Sequence, residues 1–186
     1  RLGHAPLIHG PAGVGKGSLV RQILGGHEDF MLSVSATTRA RRQDEVDGIH
    51  YHFVSRDRFE EMISGNHLLE HAIVHGEHRY GTPKAELERA SSLGKHLILE
   101  IDLQGARQIR EHEPEAIQIF IHPPSWEELE RRLRDRATET ESEIQTRLAT
   151  ARSELAAAGE FEYQVTNDNL SECAEEIVRT VRGRDK

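Results

Sequence analysis

The residues best placed to do chemistry form a glycine-rich stretch that directly follows the apolar pair Leu7 and Ile8. Glycine permits backbone angles that other residues avoid, so consecutive N–H groups can approach an anion closely. The same anion would lie at the positive end of a helix beginning near Lys16, whose ammonium group can reach phosphate oxygens. We therefore predict a phosphate-binding loop made of Gly10, Pro11, Ala12, Gly13, Val14, Gly15, Lys16, Gly17 and Ser18.

One position of this loop departs from the usual pattern. Most such loops carry Ser or Thr directly after the lysine, whereas this chain has Gly17 there and its hydroxyl one residue later, at Ser18. The Lys-Gly-Ser ending resembles the nucleoside monophosphate kinases. The resemblance implies a Mg²⁺ ion that arrives with ATP and is held mostly by phosphates and water, with no direct protein ligand.

A second motif makes the resemblance more specific. Residues 33–48 read Ser-Val-Ser-Ala-Thr-Thr-Arg-Ala-Arg-Arg-Gln-Asp-Glu-Val-Asp-Gly, and Tyr51 follows. This segment resembles the guanylate kinases, which carry Ser-x-Ser-x-Thr-Thr-Arg, a second Arg three residues later, a Gly-Glu turn and then a Tyr. Further matches in the family order cover essentially the whole chain: Leu69-Glu70, Tyr80-Gly81-Thr82-Pro83, residues 100–105, Pro123-Pro124-Ser125, Arg147-Leu148 and Asn167-Asp168.

The resemblance implies a fold and a reaction. The fold is α/β, with a P-loop NTPase-type parallel sheet flanked by helices, a small α+β insertion that binds GMP, and a helical lid. The expected division is core at 1–36, GMP-binding region at 37–82, and core again at 83–186 with the lid at about 137–143. The expected reaction moves the γ-phosphoryl group of ATP to GMP, and also to dGMP. The acceptor phosphate has a second pKa of about 6, so no general base is required.

Guanine accounts for the residue types of the expected acceptor site. It presents N–H donors at N1 and at the 2-amino group and an acceptor at O6, so its pocket needs carboxylates on one side and donors on the other. Adenine would leave those carboxylates unpaired, at about 1–3 kcal/mol per buried group. By resemblance, the carboxylates are Glu70 and Asp102, the remaining base edge meets Ser35 and Thr82, and the phosphate is held by Arg39, Arg42, Tyr51 and Tyr80.

The same resemblance assigns the donor side. Lys16, Arg132, Arg136 and Arg147 balance charge on the transferring group, and the three arginines surround the lid segment from Ala137 to Glu143. Asn167 lies near the adenine of ATP, and Glu100 either orients a magnesium-bound water or is a buried structural carboxylate. Plainer interpretations stay open: Ser35 could satisfy backbone groups, Tyr51 could be a half-buried strand residue, and the arginines could be solvated surface charges.

Three departures from the family pattern carry expectations of their own. Arg41 and Asp44 stand where a Pro and a Gly are usual, which predicts a strained backbone at Asp44 and a weaker acceptor site. Ala137 replaces a usual Gly and predicts a slower lid. The segment before Tyr80 is one residue longer than is common, so the assignment of Tyr80 depends on where that residue is absorbed.

Composition sets the class of protein. A chain of 186 residues can bury one core without disulfides or a structural metal, and the single cysteine, Cys173, has no internal partner. The net charge of −8 is the wrong sign for general nucleic-acid binding. No apolar run reaches the length of a membrane span. We therefore expect a cytoplasmic enzyme without nucleic-acid or membrane partners; a monomer and a homodimer stay open.

The elements that must position these residues alternate between strands and helices, which predicts a parallel sheet covered on both faces, with ligands at the carboxyl ends of its strands. The middle of the chain is expected to form a small sheet of its own. Predicted strands cover Leu7-Ile8, 30–36, 50–54, 68–75, 96–101, 117–121 and 163–166. Predicted helices cover 16–25, 56–64, 83–94, 126–136, 142–158 and 170–182, with Ser55, Ser125 and Ser142 as caps.

Two other functions are weighed against this interpretation. One is a non-catalytic guanylate-kinase-like module that binds peptides; such modules typically have a degraded phosphate loop, whereas the loop here is intact. The other is a related kinase acting on another phosphorylated metabolite. The pairing of Glu70 with Asp102 favours guanine, because a sugar phosphate offers those carboxylates no base donors.

Overall fold

The structure is a computed structural model that describes residues 5–74, 76–135 and 139–184. Strands and helices alternate along the described chain. The strands are β1 (Leu7–His9), β2 (Phe30–Leu32), β3 (Ala36–Thr37), β4 (His52–Phe53), β5 (Leu68–Val74), β6 (His78–Pro83), β7 (His96–Glu100), β8 (Gln118–His122) and β9 (Tyr163–Thr166). The helices are α1 (Lys16–Gly26), α2 (Arg56–Ser64), α3 (Ala85–Ser92), α4 (Leu103–His112), α5 (Trp126–Asp135), α6 (Glu141–Ala156) and α7 (Leu170–Gly183).

Five strands form the main sheet, in the order β2-β7-β1-β8-β9, and every pair in it is parallel. Helices cover both faces, so β1, most of β7 and most of β8 are buried. This confirms the predicted α/β core. The loop after β1 and the turn after β7 meet at one edge of the sheet, because these two parallel strands are neighbours. Lys16 and Asp102 are carried to that edge.

The middle of the chain forms a second sheet, as expected, in the order β4-β3-β6-β5. The pair β3–β4 is parallel, whereas β6 runs antiparallel to both β3 and β5. The sheet has its own apolar cluster, in which Phe59 and Met62 of α2 pack against Ala36 and Leu68. The chain passes from β2 to the second sheet through residues 33–35 and returns from β6 to β7 through α3.

Several predicted boundaries were wrong. The strand predicted over 30–36 is two strands in different sheets, since the chain leaves the main sheet after Leu32. Pro83 ends β6 and does not begin a helix; α3 begins at Ala85. Both β6 and α4 were missed. The sequence of β6 lacks apolar alternation. Helix α4 buries one face, made of Gly105, Ala106 and Ile109, and this helical spacing was overlooked.

Helix caps were predicted with mixed success. The hydroxyls of Ser55 and Ser125 accept hydrogen bonds from the N–H groups of Arg58 and Glu128, as expected. Helix α6 is capped by Thr140 instead of Ser142: Thr140 and Glu143 form a capping box. No helix within the described ranges has both the length and the apolar character needed to cross a membrane.

Candidate active site

The loop between β1 and α1 has the backbone that an anion site requires. Gly13 and Gly15 have φ angles of 88° and 91°, in the left-handed region that favours glycine. Helix α1 begins at Lys16, and no side chain caps its first turn. Its N-terminal N–H groups and the positive end of the helix dipole therefore face the loop without a protein anion. This geometry agrees with the predicted phosphate-binding loop.

Close packing fixes the position of the loop. A Cβ atom on Gly10 would lie 2.8 Å from the carbonyl oxygen of Ile121, and one on Gly15 would lie 2.7 Å from Nδ2 of Asn167. That Nδ2 donates a 2.9 Å hydrogen bond to the carbonyl oxygen of Val14. Asn167, predicted near the adenine, is thus also a buried support of the loop.

The loop opens onto a cleft of about 850 Å³. Most residues predicted for the donor side line it, although Gly10 and Val14 lie beneath its surface and are buried. Sequence analysis did not assign four other lining residues: Arg21, Asp135, Asp168 and Leu170. The predicted residues in the lining are Pro11, Ala12, Gly13, Gly15, Lys16, Gly17, Ser18, Arg132 and Asn167.

The predicted arginines differ in where they lie. Arg132 lines the donor cleft, where its Nε donates to Glu128 at 3.1 Å and its Nη1 lies 3.4 Å from the carbonyl oxygen of Gly13. Arg147 is not part of this lining; its Nε donates to Glu139 at 2.7 Å on the exposed face of α6. Arg136 and Ala137 lie outside the described residues. Of the three, only Arg132 is observed at the cleft.

A second cavity, of about 180 Å³, brings together the two predicted carboxylates. Glu70 is 7% exposed and accepts a 2.8 Å hydrogen bond from the hydroxyl of Thr82. Asp102 lies across from it, exposed at the end of β7. Three other predicted residues line the same cavity: Ser35, Tyr51 and Tyr80. Tyr80 thus lies where its assignment requires, and the position of the extra residue before it stays a prediction.

Glycine 105 allows the two carboxylates to approach each other. A Cβ atom at this position would lie 2.9 Å from Oε2 of Glu70 and 3.3 Å from Oδ1 of Asp102. Asp102 also caps α4, because Oδ1 accepts a 2.8 Å hydrogen bond from the N–H of Gly105. Both acidic side chains thus lie against Gly105, in the first turn of α4.

Burial raises the pKa of Glu70 to about 7. Desolvation is the main cause, and the nearby charge of Asp102 adds to it, whereas the hydrogen bond from Thr82 works in the opposite direction. A carboxyl with this pKa can be an acceptor for N–H groups at neutral pH. A ligand that donates N–H groups to Glu70 offsets the cost of its desolvation. The cavity therefore suits a ligand rich in N–H groups.

The donor and acceptor sides meet at a buried histidine. His9, the last residue of β1, is 1% exposed, and its Nε2 lies 3.4 Å from Oε2 of Glu154 on α6. Burial and the charge of Lys16 lower the pKa of His9 to about 4, while Asp102 acts in the other direction. Both Lys16 and Asp102 are thus within electrostatic range of His9.

Comparison with known proteins decides the family. The model of the guanylate kinase family matches residues 4–183. The guanylate kinase of Prochlorococcus marinus (strain MIT 9313) is 55% identical over 168 residues, which are 90% of this chain and 88% of that protein. The guanylate kinase of Leifsonia xyli subsp. xyli is 50% identical over 178 residues, which are 96% of this chain and 70% of that protein. The chain belongs to the guanylate kinase family.

A solved structure of the same family has a similar fold. The crystal structure of guanylate kinase from Anaplasma phagocytophilum matches this chain with a TM-score of 0.70 and 33% sequence identity. The match covers 96% of this chain and 84% of that chain. The resemblance stated from the motifs is therefore confirmed, together with the α/β fold that it implied.

The phosphate end of the acceptor site contains an ion pair that the sequence analysis did not assign. Both terminal nitrogens of Arg39 donate to Glu45, at 2.9 and 2.8 Å, and the Arg39 guanidinium lies 5.3 Å from the centre of the Tyr51 ring. Glu45 also accepts a 2.8 Å hydrogen bond from the N–H of Arg42. Paired with Arg39, the carboxyl of Glu45 has its pKa lowered to about 2. In this guanylate kinase, Glu45 is the glutamate of the family's Gly-Glu turn, and that motif could have identified it.

The departures from the family pattern in this turn have a mixed outcome. Among the described residues, Asn66 is the one non-glycine residue with a positive φ, so the strained backbone expected at Asp44 was wrong. Asp44 is exposed. The side chain of Arg42 is also exposed, whereas that of Arg39 is 12% exposed. The weaker acceptor site expected from the charge of Asp44 stays a prediction.

A smaller cavity, of about 150 Å³, continues the acceptor site past Ser35 and Tyr51. Thr82, Ser33 and His50 line it, and the last two were not predicted. Glu100 lines both acceptor cavities and is exposed, so the interpretation of Glu100 as a buried structural carboxylate was wrong. Arg39 lies over the ring of Tyr51, whereas Arg42 lines neither cavity. The other six residues predicted for the acceptor site line one or both cavities: Ser35, Tyr51, Glu70, Tyr80, Thr82 and Asp102.

Replacing Glu45 with alanine is expected to raise the KM for GMP about tenfold and to leave the KM for ATP unchanged. The variant removes the two hydrogen bonds that orient Arg39 and the one that fixes the N–H of Arg42, so the guanidinium proposed to hold the acceptor phosphate is no longer positioned. Initial-rate kinetics with each substrate varied in turn would measure this. Glu61→Ala is the matched control, because Glu61 pairs with Arg58 on the open surface. An unchanged KM for GMP would show that Glu45 does not position Arg39.

Proposed function

We propose that this protein transfers the γ-phosphoryl group of ATP to GMP, and to dGMP, giving ADP and GDP. The observation that carries the proposal is the convergence of Glu70 and Asp102 on one small cavity beside the loop that carries Lys16. Two carboxylates suit the N1 and 2-amino donors of guanine, and few other phosphorylated metabolites offer two adjacent donors. Membership of the guanylate kinase family supports the same substrates.

The donor side is proposed to bind ATP through the loop from Gly10 to Ser18. Its N–H groups and the start of α1 hold the β- and γ-phosphates, and Lys16 adds a point charge. The acceptor side is proposed to bind the phosphate of GMP with Arg39, Arg42, Tyr51 and Tyr80, since an arginine fork suits a phosphate dianion. The proposed division of the chain follows: core at 1–36, acceptor region at 37–82, and core with the lid at 83–186.

Catalysis is proposed to rest on placement and charge. The donor and acceptor phosphates are held in line across the carboxyl edge of the main sheet, and Lys16 and Arg132 balance the charge that spreads over the transferring group. No side chain has to remove a proton from the acceptor phosphate, which is largely a dianion at neutral pH. Arg136 is proposed for the same role as Arg132.

Arg147 is proposed to join the site only when the lid closes. Its present partner, Glu139, must then be released, and ion pairs this exposed contribute only about 0–1 kcal/mol. The side chain is 49% exposed and its partner 23% exposed. Closure therefore costs little at this contact and exchanges a carboxylate partner for phosphate.

A divalent cation is expected of an ATP-using kinase, and we propose Mg²⁺ held by phosphate oxygens and water. The donor cleft offers a hydroxyl, Ser18, and the described residues contain no cluster of three or more His, Cys, Asp or Glu side chains that could hold a metal. Mg²⁺ keeps several waters and binds through phosphates in such sites, so these residues fit the ion. Glu100 is proposed to orient one of its waters. The expected substrates are metabolites of the cytoplasm, where we place the protein.

A panel of acceptors tests the proposal. GMP, dGMP, IMP, AMP, UMP and ribose bisphosphate would each be offered with ATP and Mg²⁺, and ADP formation would be followed with a coupled assay. We expect kcat/KM for GMP to exceed that for AMP by at least about 100-fold, because AMP leaves the buried carboxyl of Glu70 and the carboxylate of Asp102 unpaired. Preference for an acceptor without a 2-amino group would overturn the assignment of the base. Absence of ADP formation with every acceptor would favour the peptide-binding module.

A further inference from the structure

One side chain of the main core is hydrogen-bonded to the outer edge of the second sheet. The Nε2 of Gln108, on α4, donates to the carbonyl oxygen of His71 at 2.8 Å, and the N–H of His71 donates to Oε1 of Gln108 at 3.1 Å. Residue 71 belongs to β5. A single carboxamide thus pairs with both backbone groups of one strand residue.

This contact takes the place of a neighbouring strand. In the sheet order β4-β3-β6-β5, β5 is at the edge, so its outer N–H and C=O groups have no strand partner. A carboxamide supplies one acceptor and two donors, which allows it to satisfy both groups at once. Gln108 therefore joins the second sheet to the core at a defined residue of β5.

The residue next to His71 is Glu70. One face of Glu70 is held by the hydroxyl of Thr82, and its Oε2 lies against Gly105, one turn before Gln108 on the same helix. The first turn of α4 also carries Asp102, whose carboxylate lies across the acceptor cavity. A shift of β5 along α4 would therefore move Glu70 away from Asp102.

Packing is incomplete on one side of β5. A cavity of about 210 Å³ lies on the far side of Glu70, lined by residues of α2, β5 and α4. Gln108 and His71 are among its lining residues, together with Ile63 and Leu68. Since this space is not filled by side chains, the hydrogen bonds of Gln108 fix the strand where close packing does not.

We propose that Gln108 is a positioning residue for guanine recognition, whose carboxamide holds β5 so that Glu70 meets the base opposite Asp102. The proposal rests on the proposed function, because it assigns Gln108 a role in choosing the same acceptor. Gln108 touches neither the base nor the phosphates; it acts through the backbone of His71. The effect should therefore appear in acceptor selectivity and not in the binding of ATP.

Two variants and a control test this role. Gln108→Met keeps the length of the side chain and removes both hydrogen bonds, whereas Gln108→Glu keeps the acceptor for the N–H of His71 and loses the donor. Gln104→Met is the matched control, because Gln104 is exposed on α4 one turn earlier. For each protein, the KM for GMP, IMP and ATP, the kcat at saturation and the melting temperature would be measured.

For Gln108→Met we expect the KM for GMP to rise about tenfold, because both hydrogen bonds that hold β5 are lost. The preference for GMP over IMP should fall several-fold, because IMP lacks the 2-amino group and loses less when Glu70 moves. The KM for ATP should be unchanged, and kcat should stay within about twofold. For Gln108→Glu, the KM for GMP and the preference for GMP over IMP should lie between those of the wild type and of Gln108→Met. For the control, both quantities should match those of the wild type.

Two outcomes would overturn the proposal: a wild-type KM for GMP in Gln108→Met, or an equal rise for GMP and IMP, which would indicate general loosening of the fold. If Gln108→Met does not fold, Gln108→Glu carries the same comparison. If the wild type does not phosphorylate GMP at all, the proposed function fails. That result is distinct, because it appears before any variant is made.

Discussion

Replacing Lys16 with methionine is expected to lower kcat for ATP and GMP by about 10³-fold. Removing one preorganised donor to developing charge commonly costs 10²–10³ in rate, and Lys16 adds a full positive charge to that role. The backbone N–H groups of the loop still bind phosphate in the variant, so the KM for ATP should rise far less than kcat falls. Steady-state kinetics with both substrates at saturation would show the separation of kcat from KM.

Lys95→Met is a suitable control for the loss of a lysine, since Lys95 lies in the turn between α3 and β7 and outside both clefts. It should keep the rate of the wild type. A loss of less than tenfold in Lys16→Met would mean that Lys16 is not the principal charge on the transferring group, and the donor site would have to be reassigned.

Replacing Glu70 with glutamine is expected to raise the KM for GMP about 100-fold. The glutamine oxygen can still accept from one N–H of guanine, but the new NH₂ group faces the second donor, and a buried unpaired group costs about 1–3 kcal/mol.

In the wild type, GMP affinity should also fall as the pH drops below about 7, where Glu70 becomes protonated in the ligand-free protein. The variant should lose the part of that pH dependence that comes from Glu70 and keep the part that comes from the acceptor phosphate, which isothermal titration between pH 6 and 8 would measure. Wild-type affinity for GMP in the variant would contradict the role of Glu70.

The same variant should be more stable than the wild type at high pH. The pKa of Glu70 is about 7 in the folded protein, against an ordinary value of 4.5. Below pH 4.5 the carboxyl is protonated in both states, but between pH 4.5 and 7 only the folded state keeps the proton, so stability falls as the pH rises. By pH 8 this amounts to about 3 kcal/mol. Glutamine does not ionise, so the variant avoids this loss of stability, and its side-chain oxygen can still accept the hydrogen bond from the hydroxyl of Thr82.

Urea unfolding without nucleotide at pH 4.5 and pH 8 would test this. Glu70→Gln should match the wild type at the lower pH and exceed its free energy of unfolding at the higher one. Glu61→Gln, an exposed change on α2, should show no such difference. An equal effect of Glu70→Gln at both pH values would mean that the carboxyl is not destabilising when charged.

The role of a residue could be predicted from the sequence where it depends on neighbouring residues in the chain. It could not be predicted where it depends on a contact with a residue far away in the chain. The loop around Lys16 was evident because the spacing of its glycines is itself the requirement of the backbone. Strand β6 was missed because Tyr80 and Thr82 face a cavity and break the apolar alternation. The pairing of Arg39 with Glu45 depends on a folded turn, and that of Gln108 with His71 joins residues 37 positions apart, which no pattern of spacing reveals.

The hydrogen bond from Asn167 to Val14 spans 153 positions of the chain. The loop near one end of the sequence thus receives its support from the residue that follows β9, near the other end. During synthesis, the donor cleft remains incomplete until the ribosome has released residue 167, because a contact of such long range forms only after the intervening chain is available. A copy truncated before residue 167 would have the glycine motif and yet lack this support for the loop.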